Sequence, residues 1–381
     1  MGKLVFMRAA FFLFTFLVTF HIHAQNDTLI SFIGVGDMML GTDFPKKEYL
    51  PPNNDPLPYV AEAIPYLKSG DVTFGNLETC LLDEGPVVKR CKDTTKCYAF
   101  KMPEKYGLTL KEMGFDFLNL ANNHIRDFGV LGMQTTRHHL AKLNIAWSGL
   151  LDKPTDTITS KGLKIGLAGF SPNTGTVDIN DLPNAIRIVQ NLKDTCDIVI
   201  VSFHGGAEGA EHQHITREKE TFYGENRSNV YEFAHAMIDA GADIIFGHGP
   251  HVTRAMEIYN NRFIIYSLGN FATYSRFNLT GPNALTPIIK VYTNRKGEFI
   301  KGEIIPFKQI KNVALAYDSS NGVIHKIKDL TKIDFPELNH RLVIEPDGKF
   351  SMPLERKMVP KKVICSGQLS LGSRKLVDIR Q

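Results

Sequence analysis

The chain has 381 residues, 43% hydrophobic and 22% charged, with a formal net charge of +4. That balance is too apolar for a disordered polymer and too close to neutral to steer the protein onto nucleic acid by bulk charge. The length suits one large domain or two small ones.

The first 24 residues stand apart. Lys3 and Arg8 lead an apolar run from Ala9 to Phe20, and Ala24 is a small residue at a plausible cut. A spanning helix needs ~20 apolar residues, and this run has 12. The pattern predicts a cleaved signal over 1–24, and with it export to a periplasm or cell envelope and no transmembrane segment after cleavage. An uncleaved anchor is the alternative.

Beyond it, strand and helix signals alternate. LISFIGVGD (29–37) reads as a strand, 57–71 as a helix and VTFGNLE (72–78) as a strand. A helix follows over 103–114, with Pro103 near its start and Gly114 as its stop. FDFLNLA (115–121) is a strand and 129–144 a helix. DTITSKGLKIGLAGF (156–170) reads as a hairpin turning at Lys161-Gly162. Next come a helix near Asp181–Lys193, a strand over 196–206, a helix over 228–241 and a strand over 242–252. A second hairpin, 255–271, turns at Asn260-Asn261. Ile288 to Phe307 is strand-like around RKGE, and from Lys308 the signal weakens to short strands and loops. This order predicts an α/β layered architecture: one catalytic domain over 25–307 and a C-terminal extension over 308–381.

Of five cysteines, Cys80, Cys91 and Cys97 crowd one polar region, where export permits a disulfide. Cys91–Cys97 is the preferred pair and Cys80–Cys97 its rival. Cys196, just ahead of a strand, reads as a core thiol.

Five strands end in residues that can bind a cation: Asp37, Glu78, Asn123 with His124, His204, and His248 with His251. In α/β sheets, ligand sites gather beyond the carboxyl ends of strands. Each residue alone has a plain explanation: a strand-end Asp is usually a turn or cap, and Asn122 an Asx-turn. The coincidence of five is what points to a site. Mixed N and O donors without thiolate suit Mn, Zn or Fe, as one ion or two. His138, His139, His212, His214, His235, His325 and His340 are expected to be structural or surface residues.

GVGDMMLG, DVTFGNLET, FLNLANNHIRDFG, SFHGGAE, GHGPHV and IIYSLGNF, in this order, resemble the CapA/PgsA capsule-synthesis family of the calcineurin-like metallophosphoesterase superfamily, from about Leu29 to Phe307. The resemblance implies a four-layer αββα sandwich with a metal centre on loops after the strands. It implies metal ligation by Asp37, Glu78 (in the bridging place), Asn123, His204, His248 and His251. It implies that His124 protonates a leaving group or stabilises charge, and that Asn122 orients the loop. Asp127 either holds His124 by a hydrogen bond or caps the following helix. The chain departs from the superfamily pattern at Met39, where a histidine ligand is expected, and at Gly205, where many relatives carry Trp. Glu208 is a possible pocket acid, and Asn270 is expected near the pocket.

The function so implied is a metal-dependent hydrolase or transferase of capsule, or poly-γ-glutamate, biosynthesis. Its substrate would be an anionic polymer or a phosphoester. The alternative is a non-catalytic envelope component that binds or guides such a polymer in an assembly complex.

Overall fold

A computed structural model of the chain describes residues 29–90, 98–339 and 341–353. The expected signal segment, Cys91, Cys97, His340 and Cys365 lie outside the described residues.

In chain order the strands are β1 (Ile30–Met39), β2 (Val72–Leu77), β3 (Cys80–Leu81), β4 (Lys101–Met102), β5 (Phe117–Asn119), β6 (Ala146–Ser148), β7 (Thr155–Ser160), β8 (Leu163–Phe170), β9 (Ile198–His204), β10 (Thr221–Phe222), β11 (Glu225–Asn226), β12 (Ile244–His248), β13 (Met256–Tyr259), β14 (Arg262–Ile265), β15 (Asn270–Thr273), β16 (Leu285–Thr293), β17 (Phe299–Ile310), β18 (Ala314–Tyr317), β19 (Val343–Ile344) and β20 (Lys349–Ser351). The helices are α1 (Leu57–Val60), α2 (Ile64–Leu67), α3 (Tyr106–Glu112), α4 (Gly129–Lys142), α5 (Leu182–Lys193), α6 (Val230–Asp239) and α7 (Gly322–Asp334).

Two sheets carry the fold. The larger has the order β19-β20-β17-β16-β1-β2-β5-β6, with β15 also on β1 and β18 on β17; the smaller has the order β13-β14-β12-β9-β8-β7. Side chains alternate across a strand, so β1 turns Phe32 toward the second sheet and Ile33 and Val35 toward the helical side. Phe74 of β2 stacks on Phe246 of β12 at 5.2 Å, joining the sheets at the centre. Gly34 allows this approach, because a β-carbon there would run into the Phe246 ring. Val60, Leu67, Leu110 and Leu140 of α1 to α4 cover the outer face of the large sheet. Val189, Phe233 and Met237 of α5 and α6 join the core around the second sheet. The chain is thus a four-layer αββα sandwich.

Local chemistry explains most boundaries. Asp181 and Asn229 cap α5 and α6 by accepting from Asn184 N and Glu232 N. Lys161-Gly162 and Asn260-Asn261 all have positive φ, as tight hairpin turns between twisted strands require. The span 57–71 is not one helix. Pro65 lacks the N–H that would carry a helix on from the preceding turn, and α1 and α2 are single turns joined by a 3-10 turn. Where the pattern predicts only short strands and loops beyond Lys308, the structure carries the 13-residue helix α7. Its buried Ile324 and Ile327 join the inter-sheet core, and β17 runs across residue 308.

Cys80 is a free, buried thiol, so the rival Cys80–Cys97 pairing is not formed; burial pushes this thiol well above its ordinary range. Cys196 is also free and buried.

Candidate metal centre

β1, β2 and β5 run parallel in the large sheet, as do β9 and β12 in the second, so their carboxyl ends open at shared edges. Asp37 lies in register with Asn76 of β2 and Asn270 of β15, and His204 with His248. The β1 register shifts between Asp37 and Met38.

The Asp37 carboxylate is fully buried. Its Oδ1 accepts from Asn76 Nδ2 at 2.8 Å and lies 3.2 Å from His248 Nδ1; Oδ2 lies 3.0 Å from His251 Nδ1. Burial by itself would raise this carboxyl, but the two histidine contacts outweigh it and hold Asp37 far below the carboxylate range. Glu78 Oε1 stands 3.1 Å from His204 Nε2 and 3.5 Å from His251 Nε2. Burial pushes Glu78 well up and His204 well down, the latter assisted by Arg227. His251 is pushed up to about 10: burial opposes this, and the charges of Glu78 and Asp37 prevail. One donor atom each from Glu78, His204 and His251 falls within a mutual 4.8 Å.

Among the described residues, four buried atoms on the candidate ligands have no hydrogen-bond partner: Glu78 Oε2, Asn123 Oδ1, His204 Nδ1 and His248 Nε2. Each such atom costs ~1–3 kcal/mol when unsatisfied. A divalent cation would satisfy such N and O lone pairs, and the donor chemistry fits one.

Beside this cluster, His124 Nδ1 lies 2.6 Å from Asp127 Oδ2. Asp127 Oδ2 also accepts from Phe100 N at 2.8 Å, and Oδ1 pairs with Lys89 Nζ at 3.0 Å. The Asp127 side chain therefore faces His124 and does not cap α4, which has no side-chain cap. Burial, then the Lys89 charge, lowers His124, and Asp127 pulls the other way. Asn122 Oδ1 accepts from His124 N and Ile125 N, while its Nδ2 donates to Leu77 O and Asn76 Oδ1. Asn122 is thus the turn residue that ties the His124 loop to the end of β2.

Other residues at the site were not singled out from sequence. Asn76 relays Asn119 and Asn122 to Asp37. Lys89 reaches His124 from a loop. Arg227, almost fully buried, donates to Glu208 Oε1 at 2.8 Å and to Gly206 O at 3.2 Å. Only Asn76 left a signal, as a polar residue inside an apolar strand; the loop residues left none. Met39 is fully buried against Phe100 and Phe277. His139, His214 and His235 pair with Glu104, Asp334 and Glu257 away from the cluster.

The molecule is thus an αββα sandwich that carries a buried cluster of carboxylate, histidine and asparagine side chains on its strand-end loops. The family model described as bacterial capsule synthesis protein PGA_cap matches residues 31–275, and the chain belongs to that family. It is 28% identical over 359 residues to the capsule biosynthesis protein CapA of Bacillus anthracis, covering 85% of this chain and 81% of that protein. It is 31% identical over 280 residues to the PGA biosynthesis protein CapA of Bacillus subtilis (strain 168), covering 69% and 68%. Among solved structures it is similar to a phosphatase from Mycoplasma pneumoniae, with TM-score 0.42, 16% identity and coverage of 74% of this chain and 95% of that one.

Proposed function

We propose that the protein is an exported metal-dependent hydrolase or transferase of capsule metabolism, acting on an anionic polymer of the poly-γ-glutamate type or on a phosphoester. The observation that carries this reading is the set of four unpartnered buried donor atoms on the candidate ligands Glu78, Asn123, His204 and His248, together with the convergence of Glu78, His204 and His251. Glu78, His204 and His251 would hold a Mn, Zn or Fe ion, with Asp37, Asn123 and His248 extending the set to one ion or two. Such an ion, when bound, supplies Lewis acidity and a nucleophilic water.

The remaining chemistry belongs to the chain. A 2.6 Å contact between His124 Nδ1 and a carboxylate oxygen needs a proton between them, so Nδ1 donates to Asp127. Nε2 is then the atom that exchanges a proton with the leaving group. The Phe100 N–H and Lys89 fix Asp127, and through it the ring. The Phe100 ring lies 4.4 Å from the His124 ring and excludes water from that side.

Met39 favours a second reading, a non-catalytic polymer-binding component, because it places a thioether where the resemblance calls for a ligand. Elemental analysis of the purified protein, with Asp37→Ala and His251→Ala variants beside it, separates the two. About one or two equivalents of metal, lost in the variants, is the expected result. A metal-free parent that gains nothing from added Mn or Zn would overturn the enzyme reading in favour of polymer binding.

A further inference from the structure

We infer that Asn270 and Asn283 form an amide clamp that positions His251. His251 has φ +57°, a left-handed conformation that residues with a β-carbon seldom adopt without external support. Its carbonyl accepts from both Asn270 Nδ2 and Asn283 Nδ2, each at 3.2 Å. Asn270 Nδ2 also donates to Asn283 O at 3.2 Å. Facing two carbonyls, that end of the Asn270 side chain can only be the NH2 group. Both side chains are almost fully buried, and Thr286 Oγ1 secures Asn270 by donating to its carbonyl at 2.6 Å.

The two halves arrive differently. Asn270 starts β15 next to Asp37, whereas Asn283 sits on the 3-10 turn Gly281–Ala284. The same segment brings Phe277, whose ring meets the His251 ring edge-on at 5.4 Å. With the backbone held by two amides and the ring by Phe277, His251 keeps Nδ1 toward Asp37 and Nε2 toward Glu78. Asn270 and Asn283 are positioning residues; that His251 then serves a metal rests on the proposed function.

The test uses the full chain with 13C-labelled histidine and compares Asn270→Asp and Asn283→Asp. Each change keeps the side-chain size and sets an acceptor against the His251 carbonyl. The His251 Cε1–Hε1 signal, assigned with His251→Gln, should shift or broaden in both, while those of the distant His214 and His235 stay in place. Asn283→Ala removes one of two donors and should move the signal less, which keeps the test valid if an Asp variant does not fold. Zinc affinity, measured by chelator competition, should fall ~10–100-fold, as when an outer partner of a ligand is lost. An unmoved His251 signal in the folded variants would overturn the clamp, whatever the zinc result. A parent that binds neither zinc nor manganese, with the His251 signal still shifted in the variants, would leave the clamp standing and overturn the metal reading.

Discussion

Arg254→Met should be among the most damaging single changes near the site. Arg254 is fully buried and pairs with Glu220 through Nη1 to Oε1 and Nη2 to Oε2, both at 2.8 Å. The pair also satisfies the backbone of Ala207: Arg254 Nη2 donates to its carbonyl at 3.1 Å, and its N–H donates to Glu220 Oε2 at 2.8 Å. Removing the guanidinium strands a buried carboxylate and the Ala207 carbonyl, a loss of ~3–5 kcal/mol. At ~2 °C per kcal/mol for a large domain, that corresponds to a melting point lower by roughly 6–10 °C. Arg254→Lys should not rescue it, since an ammonium cannot span both oxygens in parallel. Arg254→Met with Glu220→Gln removes both charges and should recover part of the loss, with a coupling energy of ~2 kcal/mol. Urea unfolding can be followed through the single tryptophan, the buried Trp147. Single losses below ~1 kcal/mol, or a double variant equal to the sum of the singles, would refute the argument.

His124→Ala should leave the metal content unchanged and lower turnover on the responsive ester or polymer by ~10²–10⁴; equal turnover would remove His124 from its assigned role. Asn76→Ala withdraws the 2.8 Å donor from Asp37 and should weaken metal binding ~10–100-fold in a folded protein, measured by chelator competition. Asp71 accepts from Ser31 and pairs with Lys161 at 2.8 Å; burial would raise its carboxyl, but these contacts hold it below its ordinary value. Its folded value being the lower one, its contribution is full above about pH 4 and fades as pH falls through the folded value. The gap in urea midpoint between the parent and Asp71→Asn should therefore shrink on acidification below about pH 4; a constant gap would contradict the assignment.

Much of the candidate centre is legible because buried strands have a simple signature. Ile198–His204 and Ile244–His248 are apolar runs that end abruptly on histidine, and Asp37 and Glu78 sit in or just after equally apolar strands. A polar group at the end of such a run has few structural reasons to be there. Arg227, Arg254 and Glu220 were not legible for the opposite reason. Glu220 and Arg227 lie in loop sequence rich in charge, and at none of the three does anything local distinguish a buried ion pair from a solvated one. The 57–71 segment misled because its apolar spacing is helical, while Pro65 interrupts the backbone bonds that spacing alone does not report.

Local sequence determined the strands, the hairpin turns, the helix caps and the types of donor at the strand ends, since these depend on side-chain period and on φ preferences within a few residues. Only the tertiary structure decided which donors meet: that Asn76 serves Asp37, that Asp127 faces His124 and not its own helix, and that Asn283 reaches His251 from 32 residues away. The reason is physical. Hydrogen-bond partners of a buried group are set by sheet order and register, and these depend on long-range packing that no short stretch of chain encodes.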